Sequence, residues 1–195
     1  TPDDASLVVT SQSGLTAPQL AALKVTPGVA VASGRGETTV GVGDEASGTT
    51  LPLTADPGPG PLSALTLLTG SYPERAGQIA VNDLAARRLG VAPGSPLRLR
   101  PDPGAARTVE VTVTAVVDQN GKGGDRLYVP DTSFPSLGGG DFGWERIDVL
   151  VAAGTDTDAV AERLQASLAT DEAASVVPAD AQRNHEARDR VDQLD

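Results

Sequence analysis

Two periods of apolar residues run along the chain. "SLVVTSQ" (6–12) is a short β-rich run, and "LTAPQLAALK" (15–24) follows with helix-start chemistry. There Thr16 can cap, Gln19 can return a bond to the Thr16 N–H, Leu15 can staple onto Leu20, and Pro18 is tolerated in the first turn. "TPGVAVASGRGETTVGVGD" (26–44) then reads as a strand, a glycine turn at Gly34 to Gly36 and a second strand. The first unit is therefore β-α-β with a hairpin.

The same order returns near the other end. "ERIDVLVAAG" (145–154) sets Ile147, Val149 and Val151 against polar neighbours, and "TDTDAVAERLQASLA" (155–169) places Val160, Leu164 and Leu168 at helical spacing, with Thr155 and Asp158 as a capping-box candidate. "SVVPAD" (175–180) supplies a last strand. Two such units pack as a split β-α-β, ferredoxin-like sheet with both helices on one face, so the expected class is α+β. "ADAQRNHEARDRVDQLD" (179–195) reads as a charged amphipathic exit helix that continues in a longer parent protein.

Between the halves, "DPGPGPLS" (56–63) reads as a Pro/Gly hinge and "SLGGGDFGW" (136–144) as a second glycine-rich joint, bracketing an inserted subdomain. Inside it, "QIAV" is a strand. "NDLAARRLG" is a helix capped by Asn82 and ended by Gly90, and "SPLRLRP" and "RTVEVTVTAVVD" are paired strands. "NGKGGD" is a hairpin turn from which "RLYVP" returns. The expected division is 1–60 plus 145–195 for the split sheet and 61–144 for a mostly-β insert with one short helix.

Composition narrows the functions. Of 195 residues 39% are hydrophobic, enough for one sizeable core or two small ones, but only five are aromatic, so Val, Leu and Ala must fill it and a deep ligand pocket is disfavoured. A net charge of -11 repels phosphate backbones, which argues against nucleic acid as a partner. No apolar run is long enough to span a bilayer, and no leader is apparent. The absence of methionine points to a segment of a longer protein, and the Ala, Gly, Pro and Arg usage, with only two lysines, to a GC-rich genome of actinobacterial type.

Candidate chemistry is sparse. The one histidine, His185, lies in the polar terminal helix without a nearby nucleophile, and with no cysteine a zinc site would need three carboxylates. "DQNGKGGD" resembles a calcium loop only superficially, because Lys122 occupies a ligand position and Val129 stands where the bidentate glutamate belongs. "GRGETT" and "GVGDEASG" do not open helices as phosphate loops do, and "DFG" at Asp141 to Gly143 lacks the companion elements of a kinase. The expectation is no catalytic residue, no metal and no cofactor. Phe142 and Trp144, aromatics in a glycine-rich joint, are the partner-contact candidates; the competing reading is that they plug a seam between subdomains.

"GSYPERAGQIAVNDLAARRLGVAPGSPLRL" (70–99) followed by "VEVTVTAVVD" (109–118) resembles the extracytoplasmic core domain of FtsX/MacB-type ABC-transporter permeases. The chain departs from that pattern at Gln78, where glutamate is usual, and at Ser95, where aspartate is usual. The resemblance implies a porter-type β-α-β subdomain carrying a β-rich insert, anchored outside the cell membrane between two transmembrane helices of the same permease. It implies a non-catalytic role: transmitting movement driven by a cytoplasmic ATPase subunit to a substrate or to an outer partner, such as a second permease copy, a lipoprotein or a cell-wall hydrolase. A free-standing secreted module that binds a peptide or glycan is the alternative.

Overall fold

The computed structural model describes residues 5–44, 48–118, 123–138 and 143–183. The elements run β1 (Leu7–Leu15), α1 (Ala17–Lys24), β2 (Val29–Arg35), β3 (Glu37–Val42), β4 (Thr50–Ala55), β5 (Thr66–Gly70), β6 (Gln78–Asn82) and α2 (Asp83–Leu89). They continue β7 (Pro96–Arg100), β8 (Val109–Asp118), β9 (Leu127–Val129), α3 (Phe134–Leu137), β10 (Trp144–Val151), α4 (Thr157–Ser167) and β11 (Ala174–Pro178). The chain divides into two compact units: residues up to Gly34 together with those from Gly143 onward, and residues Arg35–Phe142.

The terminal unit is a four-stranded sheet ordered β11-β1-β10-β2. β1 is antiparallel to both neighbours: Leu7 faces Val149 on one side and Pro178 on the other, and Val9 faces Ile147 and Val176. This is the split β-α-β order expected from the repeated pattern. Leu7, Val9, Ile147 and Val149 are buried, as are Leu20 and Leu23 of α1 and Val160 and Leu164 of α4. α1 and α4 touch, so both helices cover the same face. Each fully buried aliphatic side chain contributes about 1.5–3 kcal/mol relative to exposure.

The helix starts follow local hydrogen-bond chemistry. Thr16 caps α1, with the Gln19 N–H donating to its Oγ1 at 3.3 Å and its own N–H donating to Gln19 Oε1 at 2.7 Å. α4 is capped differently from expectation: Asp156, not Thr155, sits at the N-cap and accepts from the Asp158 N–H at 3.0 Å. A carboxylate one residue nearer the helix outcompetes the threonine hydroxyl for the same orphan donors. Gln19 also donates to Asp171 Oδ2 at 3.2 Å, and Ser11 Oγ donates to the same oxygen at 3.0 Å. The Ser11 bond is the leading reason that the Asp171 carboxyl is held below its usual range.

Trp144 does not present its ring to a partner. It is fully buried and lies directly across Gly34, where an added Cβ would meet the indole at 2.4 Å. Phe142, the other partner-contact candidate, lies outside the described residues. The exit helix is helical over 179–183, and the rest of that segment, His185 included, also lies outside them.

The second unit is a seven-stranded sheet ordered β5-β8-β6-β9-β4-β3-β7 in which β7 also pairs with β8. Strands β8, β6, β9, β4, β3 and β7 thus close a ring, and β5 alone adds to it as an outer strand. The β6–β8 and β4–β9 pairs are parallel and the others antiparallel. Closure removes edges that would otherwise need protecting. α2 is capped by Asn82 and ends at Gly90 in the left-handed region, φ 65°, as its sequence predicts.

Three expectations change here. β2 and β3 are not a hairpin: β2 borders β10 in the four-stranded sheet, whereas β3 pairs with β4 and β7. Residues 35–60, assigned from sequence to the split sheet, therefore contribute β3 and β4 to the ring. β9 does not return beside β8, because β6 lies between them and supplies its antiparallel partner. The hairpin turn expected at Asn120–Gly121 lies outside the described residues. The unit carries a second short helix, α3, besides α2.

The Trp144 contact is open to test. Gly34→Ala must displace the indole or the strand, and overpacking of this kind costs about 1–3 kcal/mol. Equilibrium urea denaturation of the variant should show a lower midpoint with an unchanged slope.

Candidate functional site

The most heavily bonded polar side chain of the second unit is Asp56, the residue after β4. It is buried, and its carboxylate accepts from the Ser63 hydroxyl at 2.7 Å, the Gly58 N–H at 2.9 Å and the Ala64 N–H at 3.4 Å. Arg35 approaches it at 3.4 Å and donates its other terminal nitrogen to the Leu62 carbonyl. The Tyr72 hydroxyl donates to the Asp56 carbonyl oxygen at 3.0 Å, with Oδ1 at 3.4 Å. The segment 56–63, expected as a Pro/Gly hinge, is thus a loop tied down along its length.

Local chemistry explains the clasp. Asp56 bonding the N–H two residues on is an Asx turn, which lets a Pro-Gly step reverse the chain. Gly58 has φ +84°, and an added Cβ would lie 2.7 Å from the Tyr72 ring, so both backbone and packing demand glycine there. Under the loop, Tyr72 joins Ala80, Ala115, Val117 and Tyr128 in a buried cluster with Leu65 packed against it. Leu62 is buried as well. A buried carboxylate is expensive unless its lone pairs are filled and a cation stands nearby, and here both conditions are met.

The cluster opposes ionisation of both tyrosines. Burial is the leading cause at Tyr72, reinforced by the charge of Asp56 and its hydrogen bond, and burial leads at Tyr128 too. Each phenol is pushed well above its ordinary range.

A second node forms at the end of β6. Asn82 Oδ1 accepts from the Ala85 N–H at 2.9 Å, which caps α2, and from the Arg126 N–H at 3.1 Å. Its Nδ2 donates to the Gly124 carbonyl at 2.7 Å. The capping role was legible; the grip on the 124–126 loop was not. Arg88 bonds Asp125 at 2.6 Å alongside it, and Arg126 reaches Glu37 and Thr54. Arg100, fully buried, runs across Gly41 and donates to the carbonyls of Gly43 and Pro103.

None of these nodes brings a nucleophile to a base, and every one holds backbone. Among the described residues no group of three His, Cys, Asp or Glu is placed to hold a metal ion. What the geometry does is fix backbone: the Arg35 guanidinium ties the Leu62 carbonyl to the Asp56 carboxylate.

The model of the MacB-like periplasmic core domain matches residues 2–167. The chain belongs to that family. Its fold is similar to the periplasmic region of MacB from Actinobacillus actinomycetemcomitans, with TM-score 0.67 and 14% identity over 94% of this chain and 92% of that one. It is also similar to the extracellular domain of the noncanonic ABC-type transporter YknZ from Gram-positive bacteria, with TM-score 0.63 and 15% identity over 88% and 99%. At these identities the shared property is the fold. No curated protein matches the chain.

Within the MacB-like family pattern, the two departures have visible roles. Gln78 Oε1 accepts from the Glu74 and Arg75 N–H groups at 3.1 and 3.2 Å, and Ser95 Oγ accepts from the Ala92 N–H at 3.0 Å. Both jobs need a side-chain oxygen, not a charge. Gly70 opens the motif because its φ is +83° and an added Cβ would meet the Thr114 carbonyl at 2.1 Å.

Two outcomes test the clasp. Asp56→Ala strands Arg35 without its carboxylate and should cost about 3–5 kcal/mol in chemical denaturation, while Tyr72→Phe loses one hydrogen bond and about 0.5–1.5 kcal/mol. A native chain titrated at 295 nm should show no tyrosinate near pH 10, the ordinary tyrosine value, because both phenols stay protonated when folded. Above that pH the unfolded chain binds fewer protons than the folded one, so stability should fall as pH rises.

Proposed function

We propose that this chain is the extracytoplasmic module of an ABC-transporter permease subunit, non-catalytic, which passes movement driven by a cytoplasmic ATPase outward. Membership of the MacB-like periplasmic core domain family carries the reading and does not favour a free-standing binding module. Among the described residues no helix is long and apolar enough to cross a membrane, so attachment would come from transmembrane helices of the same permease.

The mechanical role rests on connectivity. The chain leaves the terminal unit at Gly34 and returns to it at Gly143, and the first residue past the departure point, Arg35, is the one that grips Asp56 and the Leu62 carbonyl. On this reading, displacement of β2 is passed along the chain to Arg35 and the loop it grips. Packed layers of this kind respond by discrete shifts. In this proposal the outward recipient is a substrate or an outer partner, such as a second permease copy, a lipoprotein or a cell-wall hydrolase, and co-purification with the intact permease identifies which.

The test is to slacken the connection. Flexible Gly/Ser spacers of about six residues, inserted between Gly34 and Arg35 and immediately before Gly143 in the full permease, should abolish transport or partner activation while ATP hydrolysis persists. Retained transport in a correctly folded, membrane-inserted spacer variant would remove transmission from the account.

A further inference from the structure

The outer strand β5 stands apart from everything else on the second unit. It ends the sheet order, bonded among the described strands to β8 alone, and all five of its residues are exposed. A register shift between Leu67 and Thr69 breaks the alternation that would have turned one leucine under the sheet. In consequence Leu67 and Leu68 are both solvent-facing, at 43% and 54% exposure. Open edges are normally guarded by charge, proline or a covering loop. Among the described residues β5 itself carries no charge and no proline, and has a bulge.

Charge distribution makes this edge more specific. The chain carries -11, yet from Pro57 to Pro73 no residue is charged. Thr66 to Thr69 thus bring no charge of their own to a strand pairing; the charged residue paired with this strand is Asp118, opposite Thr66 on β8. The strand itself, Thr66-Leu67-Leu68-Thr69, reads the same in both directions. Laid antiparallel on a second copy, it sets threonine against threonine and leucine against leucine, which is what a two-fold isologous contact requires. Apolar cross-strand pairs and threonine pairs stabilise such a ladder, whereas like charges oppose it.

We propose that the β5 edge is a homotypic contact, at which two copies of this chain add strand to strand through Thr66–Thr69. The contact does not depend on the permease reading, and its test needs only the chain itself. The sequence holds no cysteine, so a single introduced thiol reports proximity without background. Leu68→Cys is treated with a short bismaleimide and compared with Leu84→Cys, a similarly exposed leucine on α2 of the same unit. Covalent dimer should form about tenfold faster, or more, from position 68 because pairing raises the local thiol concentration. Adding Leu67→Lys should abolish that excess while the thermal midpoint is unchanged, since the side chain faces solvent. Equal rates at 68 and 84, or an excess that survives Leu67→Lys, would overturn the proposal.

Discussion

The structure depends on where β1 lies. Among the described strands of the terminal unit it alone is hydrogen-bonded to two strands from the far end of the chain, with Leu7 held between Val149 and Pro178. No local interaction can form that sheet, so residues 35–142 must leave and return before its core exists. The entropy of closing so long an excursion grows only with the logarithm of its length, which is why a complete second unit can be carried there at little more cost than a loop. Once β1 is in place, α1 and α4 share one face and bury Leu23, Val160 and Leu164 against it.

The second unit solves a different problem. Its strands are short and its aromatic content low, so it gains stability by closing the sheet on itself and by converting an exposed Pro/Gly segment into packed structure. Asp56 does the latter. A single carboxylate fills its lone pairs with two backbone N–H groups and a hydroxyl while Arg35 balances its charge. Such a buried pair contributes little net stability, but losing either partner is costly, so it enforces one arrangement of the loop. Arg35 both ends β2 and begins the unit, so the residue that fixes the loop stands at the point where the chain passes from one unit into the other.

Local codes were legible in the sequence. Thr16 with Gln19, Asn82 and Gly90 act within one helical turn, where spacing alone decides the bonds, and the repeated β-α-β pattern led to the sheet order because its two halves can bury their helices in one way. The errors came where partners are distant. Glu37–Val42 alternates as a hairpin strand should, and nothing local distinguishes pairing with β2 from pairing with β4 and β7. Asp156 outcompeted Thr155 by one residue. Trp144 looked available because it follows a glycine run, yet its cover is Gly34, more than a hundred residues away. For the clasp one signal was present: an aspartate directly before Pro-Gly is an Asx-turn former, not only part of a hinge.

The central claim is that both ends of the described chain make one cooperative sheet through β1. Residue-resolved amide hydrogen exchange under native conditions tests it most directly, because strands of one cooperative unit open with one free energy. The account predicts that the bonded amides of β1, β10 and β11 share a common opening free energy and lose protection together as denaturant is added. A β1 that exchanges freely while β10 and β11 remain protected would contradict it.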